Sequence, residues 1–114
     1  MNVSKRKEIE KQYIVGCVRA ILSKDTSCKH LLVWDNGELT YITITEEETK
    51  DYHGVLGNNG KEVAYLCIIG KDLIQDFHRE AKKEENPIKW LHEAVRYVLE
   101  NGKRMAAQVY RVDI

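Results

Sequence analysis

Cys28 and His30, one residue apart in a polar stretch, are the side chains best suited to covalent chemistry in this chain. A thiolate beside a cation such as Lys29 and an imidazole is what nucleophilic catalysis uses. His53 is a second candidate base, because such partners meet in space and not in sequence. The same Cys-x-His pair is half of a zinc site. Structural zinc needs four ligands, usually as two close pairs. Cys17, Cys67, His53, His78 and His92 are scattered and supply no second pair, so no metal is expected. Cys17 and Cys67 lie in apolar runs and read as small core hydrophobes. Cys28 is more simply a loop thiol. No Ser sits in a nucleophile-elbow motif, and Glu46-Glu47-Glu48 reads as a solvated loop or helix start. Acid, base, nucleophile and metal do not come together, so no catalytic residue and no cofactor is assigned.

Gly57-Asn58-Asn59-Gly60-Lys61 has the look of a phosphate loop. A Walker A motif needs a glycine five positions before its Gly-Lys pair and Ser or Thr after the lysine. Those positions hold Val55 and Glu62, and Gly54 misses the register by one. A hairpin turn explains the segment better. The loop still combines an aromatic, a titratable ring and accessible backbone N–H groups. Tyr52, His53, Asn58, Asn59 and Lys61 are therefore candidate ligand- or partner-binding residues, since such loops carry function more often than the scaffold beneath them. Arg104 and Arg111 join them as fixed charges suited to phosphate or carboxylate. Trp34 and Trp90 are further contact candidates, because Trp carries much area at low entropy cost.

Basic residues gather at Lys5-Arg6-Lys7 and Lys103-Arg104, with Arg96 and Arg111 nearby in sequence. One ridge holding the last helix and strand could present them to an anion. Solvated charges balanced by Glu93, Glu100 and Asp113 are the plainer account. The whole chain has 18 basic and 18 acidic side chains, for a formal net charge of zero. The basic excess of nucleic-acid binders is missing, so nucleic acid is possible but not favoured.

The elements that must position these residues are most legible in one hairpin. Asn36-Gly37 predicts a type I′ turn, with strands over 30–35 and 38–45. Asp35 then faces Glu38, Trp34 faces Leu39 and Leu32 faces Tyr41. Leu32, Trp34, Leu39 and Tyr41 share one sheet face; Leu31, Val33, Thr40 and Ile42 share the other. Both faces are largely apolar, which predicts cover on both sides, by helices or by a second copy of the chain.

Residues 4–13 read as a helix capped by Ser4. Residues 14–22 read two ways: dense β-branched residues and a mid-helix Gly16 favour a strand, while helical spacing joining Ile9, Tyr13, Cys17 and Ile21, and Ile14, Val18 and Leu22, would continue the helix. Lys50–Leu56 reads as a strand, with a helix over 45–56 capped by Thr45 as the alternative. Lys61–Ile69 is its return strand, placed centrally because Ala64–Ile69 is so apolar. Helix 72–84 starts at Asp72, and a last helix starts at Asn86-Pro87 and ends at Gly102 as C′. Met105–Ile114 reads as a final strand.

At 114 residues, 43% hydrophobic and 32% charged, the chain fits one domain over 1–114. The odd cysteine count does not read as a disulfide framework. Glu8-Ile9-Glu10-Lys11 stands where a signal peptide would be apolar, and no run approaches a membrane span. A cytoplasmic location is expected. The sequence thus predicts an α+β domain, an antiparallel sheet of four to six strands with about three helices packed on it. Its leading functional reading is a small binding or regulatory domain acting stoichiometrically, as an inhibitor, sequestering or protein-interaction module. The partner would be a protein or small anionic ligand, and the domain a homo-oligomer. A small Cys–His enzyme or a nucleic-acid-binding module is the alternative.

Overall fold

The Asn36-Gly37 turn forms as its residues dictate: φ is +51° at Asn36 and +77° at Gly37, the left-handed pair a type I′ turn requires. It joins β1 (Lys29–Asp35) to β2 (Glu38–Ile44) in the register expected, with Trp34 opposite Leu39 and Leu32 opposite Tyr41. The structure is a computed structural model and describes residues 3–52 and 63–110. Its other elements are α1 (Val3–Ser23), a 3-10 helix (Glu47–Asp51), β3 (Ala64–Ile69), α2 (Lys71–Ala81) and α3 (Pro87–Tyr110). Among the described residues the fold is α+β, a three-stranded antiparallel sheet of order β2-β1-β3 with three helices packed on it. The four to six strands expected are not present among the described residues.

Each departure from the sequence reading has a local cause. Residues 14–22 are not a strand. They continue α1, burying Ile14, Cys17, Val18, Ala20 and Ile21, a stripe so wide because the helix is covered on several sides. Gly16 does not break it, since a Cβ there would collide with the Tyr41 hydroxyl. The glycine makes room for that ring. The helix ends in a Schellman motif: Lys24 adopts φ +53°, with Lys24 N–H donating to Ile21 O and Asp25 N–H to Ala20 O at 3.1 and 2.9 Å.

The strand expected over 50–56 is absent from its described part. One 3-10 turn stands there, entered through a reciprocal cap in which Thr45 N–H donates to Glu48 Oε1 (2.9 Å) and Glu48 N–H to Thr45 Oγ1 (3.4 Å). β3 is an edge strand and β1 the centre. Leu31, Leu32 and Val33 of β1 are buried on both faces, whereas Ile68 of β3 is 41% exposed. A bulge opposite Leu32/Val33 turns both Leu66 and Cys67 towards the helical layer.

Asn86 caps α3 as expected, its Oδ1 accepting from Lys89 N–H at 3.2 Å. α2 starts one residue early, after Gly70, and Asp72 is not its cap. α3 runs through Gly102 to Tyr110, so neither the stop at Gly102 nor the start of the terminal strand over 105–114 forms. A Cβ at Gly102 would overlap the Leu66 carbonyl oxygen. This glycine lets α3 lie against β3.

Leu32, Leu39, Trp34 and Tyr41 face the helices in the larger core, while Leu31, Val33 and Ile44 form a second cluster with Ile42, Tyr52 and Tyr65. Both apolar sheet faces are thus covered within the chain. The apolar sheet alone therefore gives no motive for self-association. No helix among the described residues is long and apolar enough to cross a membrane.

Candidate functional site

α1 and α3 lie antiparallel. Glu10 pairs with Lys103 towards one end, and Ile21 meets Leu91 towards the other. Between their outer flanks runs a groove of about 660 Å³. Ile14 and Leu99 form its floor, with Val3 and Val15 beside them. Arg6, Lys7 and Lys11 of α1 and Arg96 and Lys103 of α3 supply five cations against the two carboxylates Glu10 and Glu100. A chain of zero net charge therefore carries a local excess of three positive charges here, if His92 is neutral.

These cations are not equivalent. Lys103 reaches Glu10 at 2.6 Å and Glu100 at 3.3 Å. Burial pulls its pKa down, but the hydrogen bond and charge of Glu10, then Glu100, outweigh it and hold the ammonium above its ordinary value. This pair ties α1 to α3. Arg6 stacks its guanidinium 4.8 Å from the Trp34 ring centroid, and its Nε is buried without a hydrogen-bond partner. Lys7, Lys11 and Arg96 have no carboxylate partner among the described residues. Four of the five cations thus lack a carboxylate partner among the described residues.

A second polar cluster lies under α1. The Tyr13 hydroxyl donates to Cys67 Sγ at 2.9 Å. The Tyr13 and Tyr41 rings meet edge to face at 5.5 Å, and Tyr41 OH lies 2.9 Å from His30 Nδ1. Burial pushes the Cys17 thiol far up and the Cys67 thiol up to about 11. Neither is a thiolate at neutral pH, so neither is a nucleophile. Among the described residues, no three His, Cys, Asp or Glu side chains come together as a metal site. No family model, curated protein or solved structure matches the chain.

Of the expected binding residues, the four that are described, Tyr52, Arg104, Trp34 and Trp90, do not converge. Tyr52 packs on the sheet face away from the helices, whereas Arg104 is exposed on α3 on the other side. Trp34 is half-buried beneath Arg6, and Trp90 is half-buried edge to face with Phe77, 5.9 Å away. His53, Asn58, Asn59, Lys61 and Arg111 lie outside the described residues. Arg6, Lys7, Arg96 and Lys103, flagged only as basic clusters, do meet, although through α1 and not through a terminal strand. Lys11 went unflagged. Its only sequence signal is the one-turn spacing from Lys7.

His30 offers a test of the buried cluster. Burial holds its pKa below the ordinary 6.5, with the charge of Asp25 pulling weakly the other way. The unfolded chain therefore takes up the proton first. Stability present above pH 6.5 is lost as pH falls towards the folded pKa. Thermal melts should show a Tm that declines as pH falls below about 6.5, less steeply in His30→Gln. Equal slopes would remove His30 from the account.

Proposed function

We propose that this chain is a stoichiometric binding domain whose partner is anionic and sits in the α1/α3 groove. The observation that carries this reading is the gathering there of four cations without carboxylate partners among the described residues, from two helix segments about 90 residues apart in sequence, on a protein of zero net charge. Elsewhere Lys29 pairs with Glu46, Arg79 with Asp76 and Lys83 with Glu80, while Arg19, Lys24, Lys71, Lys82, Lys89 and Arg104 have no carboxylate partner among the described residues, so it is the gathering of the four on one groove that sets them apart. The groove's volume lies in the range of ligand sites, roughly 300–1,000 Å³.

The enzyme alternative has less behind it. Of its two candidate bases, His53 lies outside the described residues and His30 has Nδ1 engaged by Tyr41, while Cys28 Sγ lies 3.9 Å from the Ser27 hydroxyl. Nucleic acid would meet the same cations, but an apolar floor adds nothing to phosphate contacts.

The test is a set of amide chemical-shift titrations with sulfate, an acidic peptide and a short oligonucleotide. At least one anion should give saturable shifts centred on Arg6, Lys11 and Arg96, lost in Arg6→Ala/Arg96→Ala. Shifts spread evenly over the surface lysines, or none at all, would sink the reading.

A further inference from the structure

The groove's shape narrows the class of anion. Its lining runs from Val3 to Val15 along α1 and from His92 to Lys103 along α3, a length of about 16–18 Å at 1.5 Å per residue. That is about three helical turns. The lining is open over that length: Val3 is 63% and Val15 37% exposed, with Lys7, Lys11, Arg96 and Glu100 exposed around them. A small ligand binds where most of its own surface can be buried, and an open trough does not offer that. A partner of similar length, lying along the trough, can cover the exposed valines at both ends.

Charge completes the description. Lys7 and Lys11 stand one turn apart on the α1 side, and Arg96 faces them from α3; Lys103 is held by Glu10 and Glu100. Lys7, Lys11 and Arg96 therefore border both sides of a floor formed by the buried Ile14 and Leu99, with Val3 and Val15 exposed towards its two ends. The complement is a helix with apolar residues towards both ends of its buried face, bordered by carboxylates one turn apart opposite Lys7 and Lys11 and by a further one opposite Arg96. We infer that the α1/α3 groove receives an acidic amphipathic helix of a partner protein, about three turns long, packed as a third helix against α1 and α3. This rests on the reading of the groove as an anion site. A polyphosphate backbone would satisfy the cations and leave the valines in water. The helix satisfies both.

The experiment uses the whole protein and two synthetic peptides of about 14 residues. One carries a leucine stripe flanked by glutamates at helical spacing; the other has the same composition scrambled. Binding is followed by fluorescence anisotropy, amide shifts and the peptide's circular dichroism. The patterned peptide should bind saturably, gain helicity, and shift Lys7, Lys11, Val15, Arg96 and Leu99. Lys7→Glu/Arg96→Glu should weaken it about tenfold or more, because each reversal removes an exposed ion pair and adds a like-charge one. Equal binding of the scrambled peptide overturns the helix and leaves a general anion site. Sulfate or a short oligonucleotide shifting the same residues while neither peptide does has the same meaning. If no probe shifts these residues, both readings fall.

Discussion

Gly102→Ala should lower the melting temperature by about 10–20 °C. In an exposed helix interior the same change stabilises by up to about 1 kcal/mol, because alanine surrenders less backbone entropy. At a left-handed C′ position it would be only modestly costly. Here the added methyl would occupy the space of the Leu66 carbonyl oxygen, a backbone atom that no rotamer change can move. Either α3 lifts from β3 or the β3 bulge shifts. Overpacking of this kind costs roughly 1–3 kcal/mol, occasionally more. A domain of this size loses about 4–8 °C per kcal/mol. Differential scanning calorimetry decides between the roles by sign and size. An unchanged or raised Tm would mean that α3 does not approach β3 as described. Leu91, Val95, Leu99 and Ala106, all buried along α3, depend on that approach.

The same residue shows where sequence reasoning stops. A glycine near a helix end reads as a stop because local conformational preference is all that a single sequence displays. The neighbour it makes room for, Leu66, lies 36 positions earlier, and no local pattern announces it. Gly16 repeats the lesson with Tyr41 as the hidden neighbour. Its β-branched surroundings misled further, since tertiary cover overrides propensity in a helix buried on several sides. The hairpin was legible down to its residue pairs because turn chemistry and alternation are both local. The groove lies between these cases. Its basic clusters were visible, but only an antiparallel α1/α3 pair joins Arg6 and Lys7 to Arg96 and Lys103. That pairing depended on residues 14–22 being helical. One misread element thus hid both the packing and the site.

Tyr13→Ala should cost more than any surface change, about 3–5 kcal/mol, enough to lower Tm by roughly 12 °C or more. Tyr13 is fully buried, holds α1 edge to face against Tyr41, and reaches Cys67 on β3 through its hydroxyl. It therefore links α1 to two strands at one point. Burial comes first, then the neighbouring sulfurs, in raising its pKa well above 10, so it acts as a neutral donor at any physiological pH. Tyr13→Phe separates the ring from the hydroxyl. Losing a hydrogen bond to a weak sulfur acceptor should cost about 1 kcal/mol or less, because no strong acceptor is left unpaired. The ring's contribution should thus exceed the hydroxyl's several-fold in chemical denaturation. Near-equal losses in the two variants would mean that the Tyr13–Cys67 contact, and not the packing of α1 on the sheet, holds this layer together. The groove should report the same event, since α1 supplies one of its walls. In Tyr13→Ala, the amide shifts of Arg6, Lys7 and Lys11 should move even where the variant remains folded, and those of Tyr13→Phe should stay close to wild type.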